Sequence, residues 1–180
     1  MIDGLLFRGV LRRGGDERVV TRDGFSVRTV RLPGASGRTI VFVPPLGEAW
    51  TAWAQPMFRL SALGACVALD PPVLVEPGAA PDLAARVLAL LAVVEDSGPD
   101  PVVAVGASIG GLVAMRAARR RPGTFRRVLA TALRPDLEDL SGIRSEMAVA
   151  SATDARRYLE RTWHRPPPTS PGTMVWSSAR

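Results

Sequence analysis

The apolar positions of this chain fall into short continuous runs that alternate with longer stretches of helical spacing. Residues 18–22 and 25–32 are β-rich runs separated by Asp23-Gly24, a dipeptide that favours the tight turn of a hairpin. After a loop at residues 33–37, the run Thr39-Ile40-Val41-Phe42-Val43 is apolar throughout and ends at Pro44-Pro45, which predicts a parallel strand buried on both faces. A helix is predicted over residues 50–63, interrupted or bent near Pro56. Residues 66–69 predict the next strand, closed by Asp70-Pro71-Pro72. Pro81 and Asp82 open a helix to about Asp96, with Leu83, Val87, Leu90, Leu91 and Val94 at helical spacing, and Ser97-Gly98-Pro99 stops it. A strand at residues 101–105, a helix at 109–121 and a strand at 127–131 complete the series.

Strands and helices alternating at this spacing imply right-handed crossovers and an α/β fold, a mostly parallel, doubly wound sheet with helices on both faces. The expected organisation is a core over residues 1–133, a helical lid-like segment over 134–164 and a Pro-rich extended tail over 165–180. The lid-like segment reads as two loosely packed helices, 134–140 and 147–163. The tail begins Arg165-Pro166-Pro167-Pro168, a composition that favours extended or disordered chain. No internal repeat is evident.

Composition narrows the chemistry. All 23 basic residues are Arg, against 17 acids, for a formal charge of +6. Without Lys there is no Schiff-base lysine and no phosphate-loop lysine. The single Cys, Cys66, excludes an internal disulfide and any paired-cysteine zinc or redox motif, and in Ala-Cys-Val-Ala it reads as a small buried apolar residue. The single His, His164, excludes a histidine-rich metal site, so no metal or other cofactor is expected. Arg116, Arg119, Arg120, Arg121, Arg126 and Arg127 cluster where a helix should end, and there cations complement the helix dipole. A solvated helix end explains them, and nucleic acid is not an expected partner. The start, Met1-Ile2-Asp3, lacks the pattern of a targeting leader, and the longest strongly apolar stretch, 87–94, is far short of the ~20 residues that span a bilayer. A soluble, cytoplasmic protein away from membranes is therefore expected.

The most informative stretch runs Val102-Val103-Ala104-Val105-Gly106-Ala107-Ser108-Ile109-Gly110-Gly111. Ser108 stands where a buried strand should turn at once into a helix, with glycines two residues to either side. That spacing suits a nucleophile elbow, which holds Ser in strained backbone geometry with Oγ exposed above the sheet. A small-residue turn that merely lets helix pack on strand is the alternative.

With this elbow, the order of elements from about Gly24 to Ala132 resembles the α/β-hydrolase family. Residues 40–48 are similar to that family's first parallel strand and oxyanion loop, with Pro44-Pro45 where the family often carries His-Gly. Residues 67–71 are similar to the next strand and its Asp-containing turn. The resemblance implies an oxyanion hole formed by the backbone N–H groups of Ile109 and Leu46, donors commonly worth about 3 kcal/mol each in the transition state. Trp50 and Trp53 are candidates to line an acyl pocket beside Leu46, with core packing or a lid contact as the alternative. The family's acid and histidine follow the serine in sequence. Asp136 and His164 keep the order Ser108, Asp136, His164, although a surface histidine at a helix end is also consistent with the residues. Asp136 equally belongs to an acidic helix start with Glu138 and Asp139. No convincing run follows for the family's last two strands.

The resemblance thus implies a serine hydrolase or acyl transferase acting on a small-molecule ester or thioester. Two alternatives stay open: a catalytically incomplete, hydrolase-like binding or auxiliary protein, and a shortened, inactive product of a longer hydrolase. Strand 127–131, left at the sheet edge, would call for a dimer or a protein partner to cover it.

Overall fold

The computed structural model of the protein describes residues 2–22, 24–75 and 81–132. An N-terminal helix α1 (Ile2–Leu11) leads into a hairpin of β1 (Asp16–Arg22) and β2 (Phe25–Leu32). The ladder runs from Asp16↔Arg31 to Arg22↔Phe25, which leaves a two-residue turn in which Gly24 takes φ 90°. β3 (Thr39–Val43) follows, then a 3₁₀ turn (Trp50–Trp53) that passes into α2 (Ala54–Leu60). Pro56 therefore sits in the first turn of α2, where its missing N–H breaks no intrahelical bond. β4 (Ala65–Leu69), the short β5 (Val73–Leu74), α3 (Leu83–Asp96), β6 (Val102–Ala107), α4 (Ile109–Arg120) and β7 (Phe125–Thr131) complete the order.

α3 starts where Asp82 accepts a 2.7 Å hydrogen bond from the Ala85 N–H, an N-cap of the expected kind. It stops where Ser97 Oγ donates back to the Val93 carbonyl and Gly98 adopts φ 119°.

The strand order is β1-β2-β4-β3-β6-β7, with β5 paired to β2. The centre, β4-β3-β6-β7, is parallel, and β1, β2 and β5 join antiparallel. The structure adds two elements to those expected from the sequence, the N-terminal helix α1 and the two-residue strand β5.

Alternation along the strands builds two apolar layers. Ile40 and Phe42 join Trp50, Ala54, Met57, Cys66 and Val10 in one core cluster, with Leu6 and Phe7 of α1 and Trp53 and Phe58 packed against it. The chain from Trp50 to Leu60 and α1 thus cover one face. On the other face lie α3 and α4, where Val87, Leu90, Val94 and Val113 are buried. Cover fades across the first face. Phe42 is fully buried, its partner Val105 is half-buried, and Leu129, beside Val105 on β7, is 50% exposed. Among the described residues β7 pairs only with β6. No helix among them is long and apolar enough to cross a membrane. The expected lid-like segment at 134–164 and tail at 165–180 lie outside the described residues.

Candidate active site

β3 and β6 are neighbours, with Val43 opposite Gly106, so the loops after both strands leave the same edge of the sheet. In open α/β sheets that edge, at the strands' carboxyl ends, is where ligands bind.

The chain turns from β6 into α4 within one residue. Ser108 makes the turn at φ 52°, ψ −123°, a conformation that side-chain sterics disfavour. Neighbouring glycines enforce it. A Cβ on Gly106 would stand on the backbone of Gly110, and one on Gly110 would run into the Val43 carbonyl and reach within 2.7 Å of the Pro44 oxygen. The Ser108 N–H donates 2.8 Å to the Thr131 carbonyl at the end of β7, and its own carbonyl accepts from the Gly111 and Leu112 N–H groups. Every backbone polar group of Ser108 is thus engaged.

Its side chain is not. A serine preceding a helix ordinarily caps it with Oγ, but here the backbone twist prevents that and no side-chain cap bond forms. Ser108 is half-buried, with its hydroxyl left out of the helix's hydrogen bonding. The first-turn N–H of Ile109 has no acceptor within the helix, and among the described residues it meets none elsewhere. The Ile109 side chain is buried, which anchors the turn from below.

The second loop, residues 44–49, follows β3. Glu48 N–H donates to the Pro45 carbonyl at 3.3 Å, closing a β-turn with Leu46 and Gly47 at its centre. Gly47 takes φ 79°, the left-handed conformation that the third position of a type II turn requires. Among the described residues the Leu46 N–H has no hydrogen-bond acceptor. The paired prolines therefore leave this N–H in place, on a turn that needs Gly47.

The far end of this loop is tied by side chains. The Trp50 N–H donates 2.7 Å to Asp70 Oδ1, while Arg28 Nη1 donates 3.1 Å to Asp70 Oδ2. The Asp70 N–H in turn donates 2.9 Å to the Arg28 carbonyl. Arg28 Nη2 reaches Glu17 Oε2 at 2.7 Å, and that hydrogen bond, followed by those to Asp70, raises an already high guanidinium pKa against the opposing effect of burial. Arg28 and Asp70 lie in separate segments that share no local motif. Their pairing across 42 residues has no signature within either segment.

The ends of β3 and β4 and the first turns of α3 and α4 enclose a crevice of about 10 Å³, lined among others by Asp70, Arg86, Ile109 and Val113. It has room for about one water molecule. Trp50 does not line it. Its ring is fully buried in the core, edge-on to Phe7 at 6.3 Å, so core packing describes its place and a substrate contact does not. Trp53 stacks at a tilt on Phe42 at 5.4 Å. Cys66 is buried under α2, and desolvation pushes its thiol up to about 11, which suits the inert core residue expected of it. Among the described residues no group of His, Cys, Asp or Glu side chains comes together to hold a metal ion. Arg116, Arg119 and Arg120 are exposed on the last turns of α4, and Arg126 and Arg127 are exposed on β7. The structure thus brings Ser108, Ile109 and the Leu46 loop to one edge, while Asp136 and His164 lie outside the described residues.

The model of the alpha/beta hydrolase family matches residues 40–179. Solved structures of the same fold include a presumptive lipase from Acinetobacter baumannii AYE, with TM-score 0.73 and 14% identity over 89% of this chain and 57% of that one. A membrane phospholipase A described as a bacterial virulence factor aligns with TM-score 0.70 and 20% identity over 94% and 60% of the two chains. The thioesterase domain from the curacin biosynthetic pathway aligns with TM-score 0.60 and 18% identity over 66% and 46%. At these identities the likeness is one of fold, and the chain spans less than two thirds of the length of each. No curated protein matches the chain in sequence.

Proposed function

The chain belongs to the alpha/beta hydrolase family, and from that membership we propose that it cleaves or transfers the acyl group of a small-molecule ester or thioester through Ser108 as nucleophile. The observation that carries the reading is the Ser108 turn, where a strained φ of 52° withholds Oγ from capping α4 beside the unpaired Ile109 N–H. The choice of ester or thioester draws on the neighbours named as a phospholipase and a thioesterase.

In this mechanism Oγ attacks the acyl carbon as its proton passes to a base. The carbonyl oxygen gains charge and is met by the N–H groups of Ile109 and Leu46. The base then returns the proton to the departing alkoxide or thiolate as the C–O or C–S bond breaks. Water or an acceptor alcohol, deprotonated by the same base, releases the acyl group from Ser108. His164 is assigned as that base because it is the chain's single histidine, and Asp136 as the carboxylate that orients it.

A fluorophosphonate probe tests the reading. Labelling of the wild type that disappears in Ser108→Ala is the expected result, and a folded protein that takes no label refutes it in favour of a binding or auxiliary role. His164→Ala should then abolish turnover of a p-nitrophenyl ester, and full retention would remove His164 from the mechanism. The half-exposed Leu129 on β7 supports a dimer that covers this side of the sheet. A monodisperse monomer in light scattering at high concentration counts against it.

A further inference from the structure

The oxyanion role given to Leu46 depends on where a six-residue loop points its N–H, and that loop has two ends. The near end is fixed by packing, because the Val43 and Pro44 carbonyls rest against Gly110 at the base of the elbow. Pro44 and Pro45 add fixed φ angles there. Within the loop the Glu48 N–H donates to the Pro45 carbonyl and holds the turn. Nothing in that turn prevents it from pivoting as a unit about Pro45. The far end must therefore supply the restraint, and there, as the chain enters the 3₁₀ turn, the Trp50 N–H donates 2.7 Å to Asp70 Oδ1, which ties it to the end of β4.

We propose that Asp70, held by Arg28, is the positioning residue of the oxyanion loop: by accepting the Trp50 N–H it fixes the far end of residues 44–49 and so the direction of the Leu46 N–H. This rests on the reading of Leu46 as an oxyanion donor. Asp70 is built to be rigid. One carboxylate oxygen takes Trp50, the other takes Arg28 Nη1 at 3.1 Å, and the Asp70 N–H is bonded to the Arg28 carbonyl at 2.9 Å. Two bonds thus hold the carboxylate, one at each oxygen, and a third holds the Asp70 backbone. Pro71 and Pro72 follow directly, and a proline restricts the backbone of the residue before it. Arg28 is itself held by Glu17 from β1, so the restraint traces back to the β1–β2 hairpin. The bonds involving the carboxylate are charge-assisted and half-buried, the class of hydrogen bond that holds geometry best. Asp70 touches no substrate in this scheme. It acts on the reaction only through Trp50 and the loop.

The experiment combines hydrogen–deuterium exchange with kinetics on p-nitrophenyl butyrate, using the full chain. Asp70→Ala should raise amide exchange across residues 44–50 at least tenfold and leave residues 106–112 unchanged. The same variant should lower kcat about 100-fold, the loss expected of a donor displaced by about 1 Å, with KM within threefold of wild type. Asp70→Asn keeps an oxygen for the Trp50 N–H and loses only the ion pair, so it should recover at least tenfold of the lost kcat. A role confined to stability would move exchange everywhere and would show no such rescue. If Asp70→Ala fails to fold, Arg28→Gln, which leaves the carboxylate present but unheld, should raise exchange at 44–50 more than at any other loop. Unchanged exchange at 44–50 in a folded variant overturns the proposal whatever the kinetics show. If the wild type neither takes label nor turns over ester, the hydrolase reading fails while the exchange result still decides the clamp.

Discussion

The elbow at residues 106–110 and the loop at 44–49 leave neighbouring strands at the same edge of the sheet, and among the described residues neither the Ile109 nor the Leu46 N–H meets an acceptor. The elbow is held by the exclusion of atoms: two glycines bring backbone against backbone, and Ser108 is forced to φ 52° with no side-chain bond involved. The loop is held by the presence of atoms, with Asp70 gripping its far end at 2.7 Å and Arg28 holding Asp70 at 3.1 Å. A contact made of backbone has no slack, since neither strand nor helix can yield without giving up its own hydrogen bonds. A grip made of side chains can be released and replaced. The Ser108 turn is thus fixed by the fold, and the Leu46 loop by a removable part.

The steepest test of that difference is Gly110→Ala. The added methyl would meet the Val43 and Pro44 carbonyls, which are strand and proline backbone, so we expect a loss of about 3 kcal/mol in urea unfolding. Serine labelling should fall even in whatever fraction still folds. A loss under about 1 kcal/mol would mean that the elbow yields as the loop does, and the comparison would fail.

Next in size is a pH effect that separates both loops from the core beneath them. Burial pushes the Cys66 thiol up to about 11 from an ordinary value near 9. Between those values the unfolded chain releases its proton while the folded chain keeps it. Stability should therefore fall as pH rises through this window, at roughly 1.4 kcal/mol per pH unit at most. The chain has no Lys and a single Tyr, so little else titrates there. Urea midpoints at pH 8.5 and 10.5 should differ in wild type and converge in Cys66→Ala; equal slopes in the two proteins would remove Cys66 as the cause.

Ser108→Gly gauges the strain itself. Glycine relieves about 1–3 kcal/mol of left-handed backbone cost but loses about 0.5–1 kcal/mol more conformational entropy on folding, so a net gain of about 1 kcal/mol is expected. Ser108→Ala keeps the strain and should be neutral. A protein that becomes more stable as it loses Ser108 would show that the turn is retained for something other than stability.

These contrasts also explain which parts the sequence disclosed. The strands at 25–32 and 39–43 and the helices at 83–96 and 109–120 announce themselves because apolar spacing, capping Asp82 and stopping Gly98 are local. The elbow is legible for the same reason: Gly106, Ser108 and Gly110 lie within five residues. The grip on the loop is not, because Arg28 meets Asp70 across 42 residues and Trp50 meets it across 20, and arginine is common everywhere in this chain. Trp50 misled for a related reason. A tryptophan beside a candidate donor suits a pocket wall as well as a core, and its packing among Ile40, Phe42 and Met57 with Phe7 of α1 edge-on makes it core.

The smallest expected effect comes from the same residue types as the grip, placed where water reaches them. Glu95 pairs with Arg121 and, at 3.9 Å, with Arg22, and these three side chains are 41–53% exposed. Water screens such a pair and competes for its hydrogen bonds, and holding long side chains in one pose costs rotamer entropy. Glu95→Gln should therefore shift stability by less than about 0.5 kcal/mol. Asp70, by contrast, is 17% exposed and accepts a backbone N–H as well as an arginine. If Glu95→Gln cost as much as Asp70→Asn, an arginine–carboxylate contact alone would account for both. The low exposure and the Trp50 bond would then contribute nothing, and the distinction between a decorative surface pair and a pair that aims a loop would have no physical basis.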